Sequence, residues 1–194
     1  MKKIFVLVIM ISLFGIKSSN ANIKVAYDYS FKDLDGQELK LSEFKEKVVV
    51  ITNVASKCGF TSQYEDLQII WEKYQSKGLI VIGVPSNSFN QELETNEEVK
   101  NFCEAKFGIS FPMTQKEIVR GENAHPFYKW AKESYGTGSI PKWNFHKIII
   151  DKNGKVFDTF ASMTNPTSKK FIKSIEKASL NFIYLWQLHP WLLY

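Results

Sequence analysis

The sequence predicts an α/β fold in which a central mixed sheet carries helices on both faces, with a β-hairpin at the N-terminal end. Three observations carry this. Two β-branched runs, Val48 to Ala55 and Leu79 to Val84, bracket a segment of helical periodicity. Unbroken apolar strands mark burial on both faces, and strand, helix and strand in that order make a right-handed crossover between parallel neighbours. Turn signals at Asp35-Gly36 and Asn153-Gly154 each join two short strand-like segments, which adds antiparallel pairs.

In chain order, Tyr27 to Phe31 and Glu38 to Leu41 alternate around the first turn and form the opening hairpin. Ser62-Gln63-Tyr64-Glu65 has the capping-box pattern, and Tyr64, Leu67, Trp71 and Tyr74 line one face of the helix it opens before Gly78 ends it. Thr95-Asn96-Glu97-Glu98 starts a second helix in the same way, with Val99, Phe102, Cys103 and Phe107 on its apolar side. Residues 145–151 and 155–160 flank Asn153-Gly154 as a second hairpin. Pro166 suits the first turn of a last helix whose apolar face is Phe171, Ile172, Ile175 and Ala178.

A chain of 194 residues, 44% of them hydrophobic, suits one domain with a core of its own. Its start, Met1-Lys2-Lys3, then an apolar run from Ile4 to Ile16, then small residues at Ser19 and Ala21, has the parts of a secretory signal. The expected organisation is a signal peptide over residues 1–21, the folded domain over 22–180, and an apolar aromatic tail over 181–194. The expected location is therefore outside the cytosol, periplasmic or secreted. Lys2, Lys3 and Lys17 fall in the leader with no acid beside them, so the net charge of +5 becomes +2 once it is removed. No basic stripe remains, which argues against a nucleic-acid partner. The tail carries Phe182, Tyr184, Trp186, Trp191 and Tyr194 without one Asp, Glu, Lys or Arg, and is read as a helix extension or a surface for membrane or partner contact.

Two cysteines allow one internal pairing, structural or working. Cys58 stands where a buried strand gives way to a helix, beside Lys57. Free backbone N–H groups and the positive end of a helix dipole favour the reactive thiolate there. A C-x-x-C dithiol is excluded because Thr61 occupies the second thiol's place, and two cysteines with three scattered histidines make no zinc site. Position alone leaves a reactive thiol and a small buried core cysteine both open.

The run Asn53-Val54-Ala55-Ser56-Lys57-Cys58-Gly59-Phe60-Thr61 resembles the signature around the peroxidatic cysteine or selenocysteine of glutathione peroxidases. The resemblance continues, in the family's order, through Val84-Pro85-Ser86-Asn87-Ser88-Phe89-Asn90-Gln91-Glu92, Phe111-Pro112-Met113, His125-Pro126 and Pro141-Lys142-Trp143-Asn144-Phe145, and covers roughly residues 24–180. It implies a thioredoxin-like fold, with Cys58 as the reacting thiol and Gln91, Trp143 and Asn144 around it. Amide and indole N–H groups are donors that can hold a thiolate and the oxygen departing as a peroxide bond breaks. One departure concerns Gln91. Only Asn90 separates it from Phe89, where members usually have two residues, and Leu93 replaces the usual proline; either Gln91 or Asn90 could fill the glutamine position.

Members with two cysteines often carry a resolving cysteine nine residues before the Phe-Pro proline, and Cys103 stands nine before Pro112. The resemblance thus implies a Cys58 sulfenic acid resolved by Cys103; because Cys103 falls on the apolar face of its helix, that helix is expected to unwind to bring the sulfurs together. It also implies a hydroperoxide substrate and a thiol reductant, either glutathione or a thioredoxin-like protein, with no prosthetic group or metal. The short segment Ser134 to Ile140 implies the monomeric type. A peroxide sensor that passes its disulfide to a partner, and a non-catalytic domain with a structural disulfide, are the alternatives. His125 is read as a loop hydrogen-bonder and His146 as a neighbour of the site, neither as catalytic.

Overall fold

The computed structural model describes residues 23–180; the expected leader at 1–21 and tail at 181–194 lie outside the described residues. Six strands and four α-helices follow one another as β1 (Ser30–Lys32), β2 (Glu38–Lys40), β3 (Val48–Val54), α1 (Gln63–Tyr74), β4 (Leu79–Pro85), α2 (Asn96–Phe107), α3 (Pro126–Tyr135), β5 (Lys147–Ile150), β6 (Val156–Phe160) and α4 (Lys169–Ser179). The main sheet has the order β4-β3-β5-β6, and β1 and β2 form a separate hairpin. β3 runs parallel to β4 and antiparallel to β5, so the sheet is mixed, as the two buried runs and the later hairpin predict.

Alternate side chains of the same strands feed two cores. Val48, Val50, Val81 and Ile149 pack with Tyr64, Leu67 and Ile70 of α1 and with Phe171 and Ile175 of α4. Val49, Ile51, Ile82, Ile148 and Ile150 pack on the opposite face against Phe127, Trp130 and Ala131 of α3 and Phe31 of the hairpin. Burying both faces of β3 and β4 is what excludes polar alternation from their sequences.

Three expectations need correction, and one helix was missed. Tyr27 belongs to a 3-10 turn over Ala26–Asp28, and the hairpin is only three residues long on each side. No capping box forms at Ser62, whose own backbone is already helical and whose side chain caps nothing. Its place is taken by a winding turn in which Thr61, Gln63, Tyr64 and Glu65 donate to the carbonyls of Cys58, Phe60, Thr61 and Ser62. Pro166 lies before the last helix, and Ser168 caps it by accepting from the Phe171 N–H. Helix α3 was not anticipated, although Pro126 at its first position and the Nδ1 of His125, which accepts from the Phe127 N–H, are ordinary start signals. The capping box at Thr95 and the turn at Gly154, with φ of 77°, agree with expectation.

Gly83 in β4 makes room for the strand-like segment that follows the second helix. A methyl built there would collide with the Met113 sulfur and lie 3.2 Å from the Phe111 ring, while Gly83 exchanges backbone bonds with Pro112 and Thr114. Gly83→Ala is expected to destabilise the fold by about 1–3 kcal/mol, the cost of overpacking a filled core, measurable as a lower urea midpoint at unchanged slope.

Candidate active site

Cys58 is buried at the turn between β3 and α1. Its sulfur accepts from the Phe60 N–H at 3.5 Å, a fixed dipole directed at the position where negative charge would sit. Backbone bonds pin this turn to the loop that carries the second motif: Lys57 N–H donates to the Gln91 carbonyl at 2.9 Å, and Ser56 N–H donates to Glu92 Oε1 at 3.0 Å.

The third motif is held by Asn53, at the end of β3. Its side chain donates to the Trp143 carbonyl at 3.2 Å and accepts from the His146 N–H at 3.1 Å, and its carbonyl accepts from Phe145 N–H at 2.6 Å. Phe145 takes a φ of 59°, an uncommon conformation for a bulky residue, which this clasp over-determines. The turn so fixed presents Trp143 and Asn144 beside the cysteine loop.

Asn144 is buried, and its Nδ2 donates to Gln91 Oε1 at 2.9 Å. Asn90 absorbs the missing residue by adopting a φ of 56° on the surface, while Gln91 turns inward to the amide of Asn144. With its oxygen occupied, Gln91 keeps its Nε2 donors free, and the buried Oδ1 of Asn144 has no partner. Trp143 is 42% exposed and packs its ring on Phe89 at 5.2 Å. A cavity of about 250 Å³ adjoins it, lined also by Lys142, His146, Thr159 and Ser162. The structure brings Gln91, Trp143 and Asn144 together beside the Cys58 loop, but among the described residues only the Phe60 N–H donates to the sulfur itself.

Cys103 is buried on the apolar face of α2, and the two thiols are unjoined. Tyr64 joins their surroundings: it is fully buried, edge-on to Phe145 at 5.3 Å and tilted against Phe107 at 5.2 Å. Burial, and then the nearby Cys103, hold its hydroxyl well above the usual tyrosine range, and the hydroxyl lacks a partner of good geometry. Burial also pushes the Cys103 thiol up to about 11; Tyr64 opposes this and Glu92 and Glu104 add to it. A raised thiol pKa means that Cys103 retains its proton near neutrality while α2 is closed over it. In Cys58→Ser protein, iodoacetamide should label Cys103 only as pH climbs toward about 11, and in denaturant at the ordinary thiol range near about 8.5. Equal labelling profiles in the two states would contradict this.

Two charged groups in the vicinity escaped sequence reasoning. Glu92 is buried, and burial raises its pKa while bonds from Ser56 and Leu93 and the charge of Lys116 oppose the rise. Lys147 is fully buried in β5, its ammonium on Gln63 Oε1, on the Thr164 carbonyl at 2.7 Å and on the Ser162 carbonyl at 3.4 Å. It ties the first residue of α1 to the loop after β6, and burial pulls its pKa down to about 7 against the pull of Asp66. A lone lysine in the apolar run Lys147-Ile148-Ile149-Ile150 was the available signal. His146 is held neutral, its pKa lowered to about 4 by burial, then by Lys147 and Lys142. His125 stacks on Phe31 at 4.3 Å as a helix cap. Among the described residues no group of three His, Cys, Asp or Glu could hold a metal ion.

The family model for glutathione peroxidase matches residues 26–132. Glutathione peroxidase-like peroxiredoxin 2 of Saccharomyces cerevisiae is 44% identical over 147 residues, 73% of this chain and 90% of that protein. The crystal structure of Trgpx in apo form superposes with a TM-score of 0.64 at 34% identity, covering 80% of this chain and 95% of that one. A thioredoxin-family thiol:disulfide interchange protein from Chlorobium tepidum gives a TM-score of 0.61 at 21% identity, over 84% of this chain and all of that one, a likeness of fold alone.

Proposed function

This chain belongs to the glutathione peroxidase family, and on that premise we propose that Cys58 is its peroxidatic thiol and Cys103 the thiol that resolves it. The fold is thioredoxin-like, and the activity is that of a thiol-dependent peroxidase reducing hydroperoxides without a prosthetic group. The Cys58 thiolate attacks the nearer peroxide oxygen; an S–O bond forms, the O–O bond breaks, and the distal oxygen leaves with the electron pair and takes a proton. Donors fixed before reaction are most effective where charge develops. The free Nε2 of Gln91, the indole of Trp143 and the side chain of Asn144 are the groups assigned to that oxygen.

The observation that carries this reading is the linkage of the Cys58 turn to Gln91 through Lys57 and of Gln91 to Asn144, which gathers three separate sequence motifs at one thiol. Cys103 then attacks the sulfenic acid, giving an intramolecular disulfide and water. Two features of α2 support an opening of that helix. Val99 and Cys103 are its only fully buried residues, and its middle is tied to the hairpin loop by one exposed ion pair, Lys100 to Asp35 at 2.7 Å, worth little in water. An external thiol reduces the disulfide, glutathione or a thioredoxin-like protein in the compartment to which the leader directs the chain. The leader supports export, and the short segment 134–140 supports a monomer.

The test supplies mature protein and Cys103→Ser with peroxide and either glutathione or a thioredoxin system. Wild type should form a Cys58–Cys103 disulfide and turn over many times with the thioredoxin system, and Cys103→Ser should lose that turnover. Wild-type turnover by Cys103→Ser with the thioredoxin system would remove Cys103 from the cycle. A protein that reacts once and does not cycle with either reductant would favour the sensor reading.

A further inference from the structure

Resolution requires a proton to leave Cys103 and another species to receive it, and among the described residues Glu92 is the one buried carboxylate. Glu92 is buried, and its two oxygens are used differently. Oε1 accepts from the backbone N–H groups of Ser56 at 3.0 Å and Leu93 at 2.8 Å. Oε2 is equally buried and has no partner. A buried carboxylate oxygen without a donor is costly as a purely structural feature. The charge of the carboxylate is felt at both the Tyr64 hydroxyl and the Cys103 thiol, with a hydrogen bond to neither, and Tyr64 is also in electrostatic reach of Cys58.

The anchoring matters. Glu92 is bonded to the backbone two residues before Cys58 and not to α2, so it stays with the peroxidatic loop when α2 opens and Cys103 moves. Facing it are the Ser56 hydroxyl, Tyr64, Cys103 and Lys116, whose ammonium bonds the Leu93 carbonyl at 3.0 Å and that of Glu94. Lys116 favours the ionised carboxylate, and burial makes it more basic than an exposed one.

Resting on the reading of Cys103 as the resolving thiol, we propose that Glu92 is the proton acceptor of the resolving step. As the Cys103 sulfur attacks the Cys58 sulfur, the S–S bond forms and the S–O bond of the sulfenic acid breaks. The electron pair leaves with the hydroxide, Glu92 takes the Cys103 proton, and that proton completes the departing water. Cys103 is oxidised and the Cys58 sulfenyl sulfur reduced, so no outside reactant is needed.

Glu92→Gln keeps an oxygen for the two backbone donors and removes the base. Rapid-quench mass spectrometry of reduced protein mixed with hydrogen peroxide separates sulfenic acid formation, which depends on peroxide concentration, from disulfide formation, which does not. In Glu92→Gln, disulfide formation is expected to slow about 10²-fold, the lower range for a lost general base. Its pH profile should lose the acid limb set by the carboxylate and follow thiolate content alone, while Glu92→Asp recovers part of the rate. A Glu92→Gln protein with the wild-type disulfide rate and pH profile overturns the proposal and leaves the role of Cys103 standing. Failure of wild type to form the Cys58–Cys103 disulfide overturns that role and the proposal with it.

Discussion

Cys58→Ser protein is expected to consume peroxide at least about 10³-fold more slowly than wild type with any thiol reductant, the scale on which enzymes lose rate when a covalent nucleophile is removed. Serine preserves the size of the buried side chain and can still accept from the Phe60 N–H, so the fold should survive and its urea midpoint should change little. A hydroxyl at this position is not ionised near neutrality and cannot be oxidised to a sulfenic acid. Peroxide consumption and the urea midpoint measured on one preparation separate loss of chemistry from loss of structure.

Asn144→Ala has the second largest expected effect, about 10²-fold on the peroxide step, as found for removal of one fixed donor to a developing oxyanion. Its consequence is double. The donor is lost, and Gln91 Oε1 loses the bond that orients its Nε2 toward the site. The rate constant for sulfenic acid formation, read as a function of peroxide concentration, should fall while the rate of disulfide formation holds. Equal slowing of both steps would indicate general loosening of the 143–146 turn.

Much of this architecture was legible because periodicity is a local signal. The runs at Val48 and Leu79 read as buried strands, and they are β3 and β4, with side chains feeding both cores. The capping pattern at Ser62 misled for a tertiary reason: the chain arrives from Cys58 already wound, so the amides it would have served are bonded to carbonyls. The site divides in the same way. Cys58, Trp143 and Asn144 sat in recognisable motifs, whereas which of Asn90 and Gln91 faces Asn144 turned on a single left-handed residue. Glu92 and Lys147 owe their character to burial among partners far away in sequence, Ser56 and Lys116 for the first, Gln63 and Thr164 for the second. For Lys147 the apolar run it opens was the one local hint; for Glu92 no local pattern marks such burial.

The most direct measurement of the central claim uses Cys103→Ser protein, reduced and treated with one equivalent of hydrogen peroxide in the presence of a sulfenic-acid trap. Peptide mass spectrometry should find the trap on Cys58, in proportion to the peroxide consumed. Peroxide left unconsumed, or oxygen found only on methionines while Cys58 remains a free thiol, would contradict the account.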